Sequence, residues 1–197
     1  MSRLDRLREK VDTLYQTRDK EATAELAEYL YTNHVFVVTD IAGRLAERFG
    51  ANKEYSMAAA MLHDIADATM KRHDPRHAQE SANIARRFLE ETGYDKDEIT
   101  IILDDAIANH SCHGEDRPKT LEGKVMATAD AVAHLSTGFS EGLVKAFLAR
   151  GEAPTKVRVW GLEHLERDLN VKVFFDDVRE EMRPHYERLK KMFESLV

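Results

Sequence analysis

The chain has 197 residues, of which 43% are hydrophobic, and carries a formal net charge of −7. This hydrophobic content supports a folded core and excludes wholesale disorder. The negative charge argues against broad binding to a nucleic-acid backbone, so we expect no nucleic-acid polymer as a partner.

The single cysteine, Cys112, excludes an intramolecular disulfide and favours a reducing compartment. The charged N-terminus has no apolar signal segment, and no stretch approaches the ~18 apolar residues that a membrane span needs. We therefore expect a cytoplasmic protein that does not contact a membrane.

Helical periodicity begins at the N-terminus. Apolar residues recur there at spacings of three and four, at Leu4, Leu7, Val11 and Leu14. This pattern predicts an amphipathic helix over residues 3–17. Asp19 can cap a second helix that runs through Tyr31. Asn33 can cap a third, which places His34 in a first helical turn.

Two further helices are predicted from their end signals. Asn52 is a good N-cap for a helix that ends around residues 64–67. Asp74–Pro75 combines an N-cap with a proline at the first helical position, and the helix from there should end at Gly93. His77 lies in the first turn of this helix.

The second half of the chain continues the helical pattern. Asp95 and Glu98 have the spacing of a capping box, which predicts a helix ending near His110. After a polar loop, Thr120 caps another helix. Three more helices are expected over residues 139–149, 156–169 and 174–196. The alternation in Val157–Trp160 also permits a short strand, but the pattern as a whole predicts an all-α fold.

A His-Asp pair, His63–Asp64, ends the apolar, alanine-rich run of the fourth predicted helix. A buried carboxylate is costly to ionise without a positive partner. A divalent metal is such a partner, because imidazole and carboxylate are both good ligands. The alternative is an aspartate that only orients a core histidine through a hydrogen bond.

Further candidate ligands occur at predicted helix ends or on an apolar helix face: His34, His77, His110 and Asp130. Taken singly, His34 and His77 fit surface positions, and His110 fits a helix C-terminus. Asp130 lies among alanines and valine, where an unpaired carboxylate would cost several kcal/mol. Helices that face one another could bring these groups to one metal site.

In this order the residues resemble the signature of the HD superfamily of metal-dependent phosphohydrolases: a His, a His-Asp pair and a distant Asp. The matching residues are His34, His63, Asp64 and Asp130. Three phrases look like small stand-alone HD proteins: His110–Ser111, Lys119–Lys124 and Ala127–Asp130. The resemblance covers residues 25–150 and implies a single-domain helical bundle with a metal site between helices.

The resemblance implies one or two divalent ions, among Mn, Fe, Co, Zn, Ni and Mg. The first would be held by His34, His63, Asp64 and Asp130. Asp64 would bridge to a second ion, which His77 and His110 would complete. It also implies an HD domain over residues 25–150, with a helical extension over 1–24 and helices over 151–197 that pack on the domain.

The implied activity is hydrolysis of a small phosphate ester or anhydride, in the first place a nucleotide. A divalent metal lowers the pKa of bound water toward ~7, and a net positive centre suits an anionic phosphate. Two alternatives stay open: a di-iron oxygenase of HD type, and a non-catalytic metal-containing regulatory or binding module. The oligomeric state is not predicted.

Several other residues are candidates for the reaction. Asp64 and Asp67 are expected to be catalytic, with Asp67 orienting a member of the pair or transferring a proton. Lys124 is expected to contact the substrate phosphates and to assist catalysis. His113 and Arg183 are candidate substrate contacts. The alternative for each of these polar residues is an ordinary solvated position.

Overall fold

The computed structural model describes residues 1–23 and 26–197. Within these ranges the chain is helical and contains no strand, which confirms the predicted all-α fold. The helices are α1 (Arg3–Thr17), α2 (Ala27–Leu30), α3 (Phe36–Phe49), α4 (Lys53–Leu62), α5 (His77–Thr92), α6 (Lys96–Ile99), α7 (Leu121–Ser136), α8 (Phe139–Ala149), α9 (Pro154–Arg167) and α10 (Asp176–Glu194). A 3-10 segment covers Ile65–Ala68, and π-helical segments cover Tyr31–Val35, Thr100–Ile107 and Asp168–Lys172.

Local capping signals locate three of the helix starts correctly. The Asn52 side chain accepts a hydrogen bond from the Tyr55 amide (3.1 Å) at the start of α4. The capping box predicted at Asp95 and Glu98 is present. The Thr120 hydroxyl accepts a bond from the Gly123 amide (3.0 Å) at the start of α7.

The start of α5 lies two residues later than Pro75. Asp74 accepts a bond from the Arg76 amide on its side chain (2.8 Å) and one from the His77 amide on its carbonyl (2.9 Å). These bonds close a turn ahead of the helix, so α5 begins at His77 itself. His77 is in the first turn, as predicted.

The prediction of Asn33 as a helix N-cap is wrong. α2, the π-helical segment Tyr31–Val35 and α3 follow one another without a break. The Asn33 side chain donates to the Tyr29 carbonyl (3.0 Å) one turn earlier instead of accepting an amide ahead of it. His34 therefore lies inside a wide helical turn, where it is buried. The helix predicted between Asp19 and Tyr31 crosses residues 24 and 25, which lie outside the described ranges.

The strand alternative for Val157–Trp160 is also wrong, because these residues lie inside α9. Pro154 occupies the start of this helix, where a missing amide costs nothing. At Gly161 a Cβ would lie 2.0 Å from the Phe193 ring. Only glycine therefore allows α9 and α10 to approach this closely.

The largest apolar core joins α1, α3, α4, α5 and α7. Its fully buried side chains include Leu7, Val11, Tyr15, Leu62, Leu89 and Met126. A second core, between α7, α9 and α10, includes Leu135, Leu165, Leu169, Leu189 and Phe193. The division at residues 24 and 150 stays a prediction. None of the helices in residues 1–23 and 26–197 has both the length and the apolar composition of a bilayer span.

The chain after α9 returns to α7. The Thr128 hydroxyl donates to the Lys172 carbonyl (3.2 Å) and accepts from the Phe174 amide (3.1 Å). These bonds hold the segment Asp168–Lys172 against the middle of α7. The C-terminal part of the chain thereby reaches the helix that carries Asp130.

Candidate metal centre

An inner cluster of polar side chains lies where α7 meets three other parts of the chain. Its members are His34, His63, Asp130, His134, Asp168 and Lys172. All are buried except His134, which is partly exposed. Asp130 and His134 are one helical turn apart on α7 and so share one face of it.

Three imidazole nitrogens surround one oxygen of Asp130. His34 Nε2 lies 3.1 Å and His134 Nε2 lies 3.3 Å from Asp130 Oδ1. His63 Nε2 lies 3.9 Å from the same oxygen and 3.3 Å from His34 Nε2. Asp130 Oδ1 is buried, and no group in the described residues is aligned to give it a hydrogen bond. Burying an anionic oxygen without a partner costs free energy. A cation bound at Asp130 Oδ1 would remove this cost.

Hydrogen bonds at the far side of two rings set their tautomers. His63 Nδ1 lies 2.8 Å from the Ala60 carbonyl, and His134 Nδ1 lies 3.0 Å from Asp168 Oδ2. These oxygens only accept, so each Nδ1 donates its proton. In the neutral ring, the Nε2 lone pair then points toward the centre, as it does in a metal-bound histidine.

Lys172 balances the carboxylates of the inner cluster. Its Nζ contacts Asp130 Oδ2 and lies 3.6 Å from Asp168 Oδ1. Burial alone would raise the pKa of Asp130, but the charges of His134 and Lys172 outweigh it and hold that pKa well below its ordinary value. Burial lowers the pKa of His34 to about 4, so this ring is neutral at pH 7.

An outer cluster lies beside the inner one and consists of Asp64, Asp67, Arg72, His77 and His110. Arg72 Nη1 donates to Asp64 Oδ2 (2.8 Å), and Arg72 Nη2 donates to Asp67 Oδ2. His77 Nε2 lies 2.9 Å from Asp67 Oδ1. His110 Nδ1 donates to the Ile107 carbonyl (2.7 Å), which leaves its Nε2 lone pair free.

Burial and neighbouring charges also shift pKa values in the outer cluster. Burial would raise the pKa of Asp64, but the Arg72 guanidinium and His63 outweigh it and lower that pKa. Burial lowers the pKa of His110 to about 4. Asp64 is therefore an anion and His110 a neutral base at pH 7, and these are the forms that bind metals.

The donor set fits divalent metal ions at two points. The spacings of 3.1 to 3.9 Å around Asp130 Oδ1 suit ligand atoms that each lie ~2.1 Å from one shared ion. Two groups of three ligand atoms lie within 4.8 Å of one another: His34, Asp130 and His134, and His63, Asp64 and His110. Imidazole and carboxylate donors suit Zn, Mn, Fe and Co.

A cavity of about 490 Å³ opens beside the centre. Its lining includes His63, Asp64, His77, Arg86, His110 and Ser111. Sites for small molecules commonly have volumes of ~300–1,000 Å³. The cavity therefore has room for a small substrate next to the candidate ligands.

The structure brings together the six predicted ligand residues, with one difference of detail. His34, His63 and Asp130 meet in the inner cluster, and His110 lies with His63 and Asp64. His77 lines the same cavity but bonds to Asp67. The ligand roles themselves stay predictions.

The predicted substrate contacts lie farther from the centre. Lys124 is half-buried in the first turn of α7, six residues before Asp130, which is ~9 Å along the helix and on another face. His113 is exposed in the loop that follows His110. Arg183 bonds to Glu180 on α10 (2.8 Å). These roles stay predictions.

Four residues of the two clusters were not predicted: Arg72, His134, Asp168 and Lys172. His134 could have been found, because it follows Asp130 by four residues on a predicted helix. Asp168 and Lys172 also have a spacing of four, but nothing local indicates that they return to α7. Arg72 lies in a polar stretch that resembles an ordinary loop.

The described helices bring imidazoles and carboxylates together at groups that could hold a metal ion, which is an arrangement found in helical metalloproteins. The family model of the HD domain matches residues 31–135, just over half of the chain. The chain belongs to this family, the HD superfamily of metal-dependent phosphohydrolases. Membership implies divalent metal binding and supports a metal-dependent hydrolase.

Several proteins named ribonuclease Y are similar to part of the chain. The protein from Thermotoga petrophila is 30% identical over 118 residues, which are 60% of this chain and 21% of that protein. The protein from Rubrobacter xylanophilus is 33% identical over 117 residues, 59% and 21% of the two chains. The match thus covers about a fifth of the length of these relatives. No solved structure matches the chain.

Proposed function

We propose that this chain is a metal-dependent phosphohydrolase whose substrate is a small phosphate ester or anhydride, in the first place a nucleotide. One observation carries the proposal: three imidazole Nε2 atoms surround a buried Asp130 oxygen that has no hydrogen-bond partner in the described part of the chain. This arrangement suits a divalent cation, and the HD family makes a phosphate the expected substrate.

The proposed ligands of the first ion are His34, His63, Asp64 and Asp130. When bound, a divalent ion supplies a Lewis acid for phosphate oxygens and lowers the pKa of its water. At pH 7 His34 is neutral and Asp130 is an anion, and these are the forms in which the two side chains bind a metal ion. The hydrogen bond from His63 Nδ1 to the Ala60 carbonyl fixes the ring that faces the ion.

The outer cluster would serve the substrate side of the reaction. Asp64 lies between the two clusters, because its Oδ2 is 3.9 Å from His63 Nε2 and 2.8 Å from Arg72 Nη1. Asp67 and His77 form a hydrogen-bonded pair that can hold or pass a proton at His77 Nε2. We propose Asp64 and Asp67 as catalytic residues, and His77 with His110 as ligands of a second ion.

The cavity favours a small substrate. Its volume of about 490 Å³ suits a molecule of nucleotide size. The net charge of −7 disfavours a long polyanion. Lys124, His113 and Arg183 remain the proposed contacts to the substrate.

RNA is the second candidate substrate, because the relatives reported above are named ribonuclease Y. They match about 60% of the chain. The phosphodiester of RNA would require the same metal chemistry at the centre. A short single strand would need to place one phosphodiester in the cavity beside Asp64.

The test measures release of phosphate and pyrophosphate from a panel of nucleotides, and in a separate arm the cleavage of a short RNA into smaller fragments. It is run in parallel with and without oxygen and with added Mn, Co or Mg, using the native protein, Asp64→Asn, and Asp40→Asn as a control on the exposed face of α3. We expect turnover by the native protein and by Asp40→Asn, and a loss of at least ~100-fold in Asp64→Asn.

Each product pattern decides between the candidates. Release from nucleotides supports the first proposal, and cleavage of the RNA alone supports the second. Full turnover by Asp64→Asn would contradict the assignment of the centre. Turnover that requires oxygen would replace hydrolysis with the oxygenase alternative.

A further inference from the structure

His134 has the geometry of a metal ligand, although it is not one of the six proposed ligand residues. It follows Asp130 by one turn of α7, and its Nε2 lies 3.3 Å from Asp130 Oδ1. Its ring lies parallel to that of His34, with centroids 5.0 Å apart and planes within 12°. His134 therefore faces the point at which His34 and Asp130 would hold an ion.

Asp168 fixes the His134 ring in the required tautomer. Asp168 is buried, and its Oδ2 lies 3.0 Å from His134 Nδ1. Carboxylates commonly hold the second nitrogen of a metal-bound histidine in this way, which orients the ring and makes it a stronger ligand. With the proton on Nδ1, the neutral ring directs its Nε2 lone pair to Asp130 Oδ1, so a cation between these two atoms can be bound by both.

Lys172 keeps the two carboxylates in place without occupying this point. Its Nζ contacts the other oxygen of Asp130 and lies 3.6 Å from Asp168 Oδ1. Asp130 Oδ1 and His134 Nε2 are thereby left to face each other. The arrangement depends on residues 168–172, which lie beyond the matched HD domain at residues 31–135.

We propose that His134 is an additional ligand of the divalent ion bound by His34 and Asp130, and that Asp168 is the positioning residue that orients it. The proposal rests on the proposed function only in placing a cation at Asp130. It makes the segment after α9 part of the metal centre.

The experiment uses Co²⁺ as the metal and the full chain. Affinity is measured by competition with a chelator, and the visible absorption bands of the bound Co²⁺ report its ligands. The variants are His134→Phe, which keeps a flat ring, and Asp168→Asn, which keeps an acceptor for Nδ1. The control is His164→Phe, because His164 is also partly buried but bonds to the Trp160 carbonyl away from the centre.

We expect Asp168→Asn to weaken Co²⁺ binding by 10- to 100-fold, on the order seen for such partners, and His134→Phe to weaken it further and change the absorption bands. His164→Phe should match the native protein. Native bands and affinity in a folded His134→Phe would overturn the proposal. If His134→Phe does not fold, native affinity in Asp168→Asn would overturn it.

Asp130→Asn separates this inference from the proposed function. Loss of Co²⁺ binding in Asp130→Asn together with native binding in His134→Phe would refute only the role of His134. Native Co²⁺ binding in Asp130→Asn would instead refute the proposed metal centre itself.

Discussion

The inner and outer clusters contain similar residues, but the cations that neutralise their carboxylates are placed differently. In the inner cluster, Lys172 contacts one oxygen of Asp130 and leaves Oδ1 open to three imidazoles. In the outer cluster, the Arg72 guanidinium bonds directly to Asp64 and to Asp67. The Lys172 side chain is 3% exposed and that of Arg72 is 42% exposed.

This difference predicts different affinities for metal at the two points. An ion at Asp130 meets ligands that buried neighbours already hold in place. An ion at Asp64 must compete with Arg72, which can also move toward solvent. We therefore expect one tightly bound ion and a second point where an ion or the substrate phosphate exchanges readily.

The largest expected effect comes from removing the cation of the inner cluster. Lys172→Met would leave Asp130 and Asp168 buried without their common partner. Loss of one partner of a buried ion pair typically costs ~3–5 kcal/mol of the free energy of unfolding. We expect a loss of this size in the metal-free protein, measured by urea denaturation, and partial recovery when Mn²⁺ is added.

Lys145→Met is the matched control, because Lys145 is exposed on α8. It should change the free energy of unfolding by less than ~0.5 kcal/mol. A metal-free Lys172→Met protein as stable as this control would show that the inner carboxylates do not depend on Lys172.

A smaller effect should follow from removing the cation of the outer cluster. Arg72→Gln frees Asp64 and Asp67 from their guanidinium, so a second Mn²⁺ should bind about tenfold more tightly, or ~1.4 kcal/mol. Calorimetric titration with Mn²⁺ measures both binding steps. The first step should change less, because Asp64 is the only proposed ligand of the first ion that Arg72 contacts.

Arg86→Gln is the control for this variant, because Arg86 lines the same cavity and pairs with the exposed Asp104. Its second binding step should equal that of the native protein. Unchanged second-site affinity in Arg72→Gln would mean that the guanidinium does not compete with the ion.

Local sequence was sufficient for most of the fold. The caps at Asn52, Asp95 and Thr120 act within four residues of themselves, so they were predictable from the sequence. The prediction for Asn33 failed because its side chain can either cap a following helix or bond to the preceding turn. The continuous helix from α2 to α3 selects the bond to the preceding turn. The choice depends on packing that a local pattern does not contain.

In the candidate site, too, some residues could be predicted from the local sequence and others could not. Asp64 and Asp130 were predicted as ligands because each stands out against an apolar helix. Their charged partners, Arg72 and Lys172, come from a loop and from a segment after α9. Those contacts depend on how the chain returns through space, which the local sequence does not indicate. The order of the ligand residues could therefore be predicted, but not their electrostatic balance.

The smallest expected effect, counted per pH unit and per histidine, concerns a property that the two clusters share. Burial lowers the pKa values of His34 and His110 from 6.5 to about 4. Between these values the unfolded chain binds protons that the folded chain does not. The metal-free protein should therefore lose stability as the pH falls from 6.5 toward 4, by less than ~1.4 kcal/mol per pH unit for each histidine.

Two further histidines contribute to the same window, because burial also lowers the pKa of His164 to about 4 and lowers that of His113. The pKa of His134 is raised because Asp130 and Asp168 outweigh its burial, so its contribution is complete once the pH has fallen to 6.5. The pKa values of Asp64 and Asp130 are lowered from 3.8, so the stability that these carboxylates contribute is lost only as the pH falls below about that value. The slope between pH 6.5 and 4 thus reports every histidine whose pKa is lowered by folding, with His113 and His164 included.

Urea denaturation of the metal-free protein at several pH values measures this slope. His110→Gln should make the slope shallower. The unfolded variant binds one proton fewer in this pH range, whereas the folded chain binds no proton at this position in either protein. His73→Gln changes an exposed loop histidine and should leave the slope as it is in the native protein. An equal slope in the native and His110→Gln proteins would show that His110 protonates in the folded chain, and the outer cluster would then hold a positive charge on His110 beside Arg72.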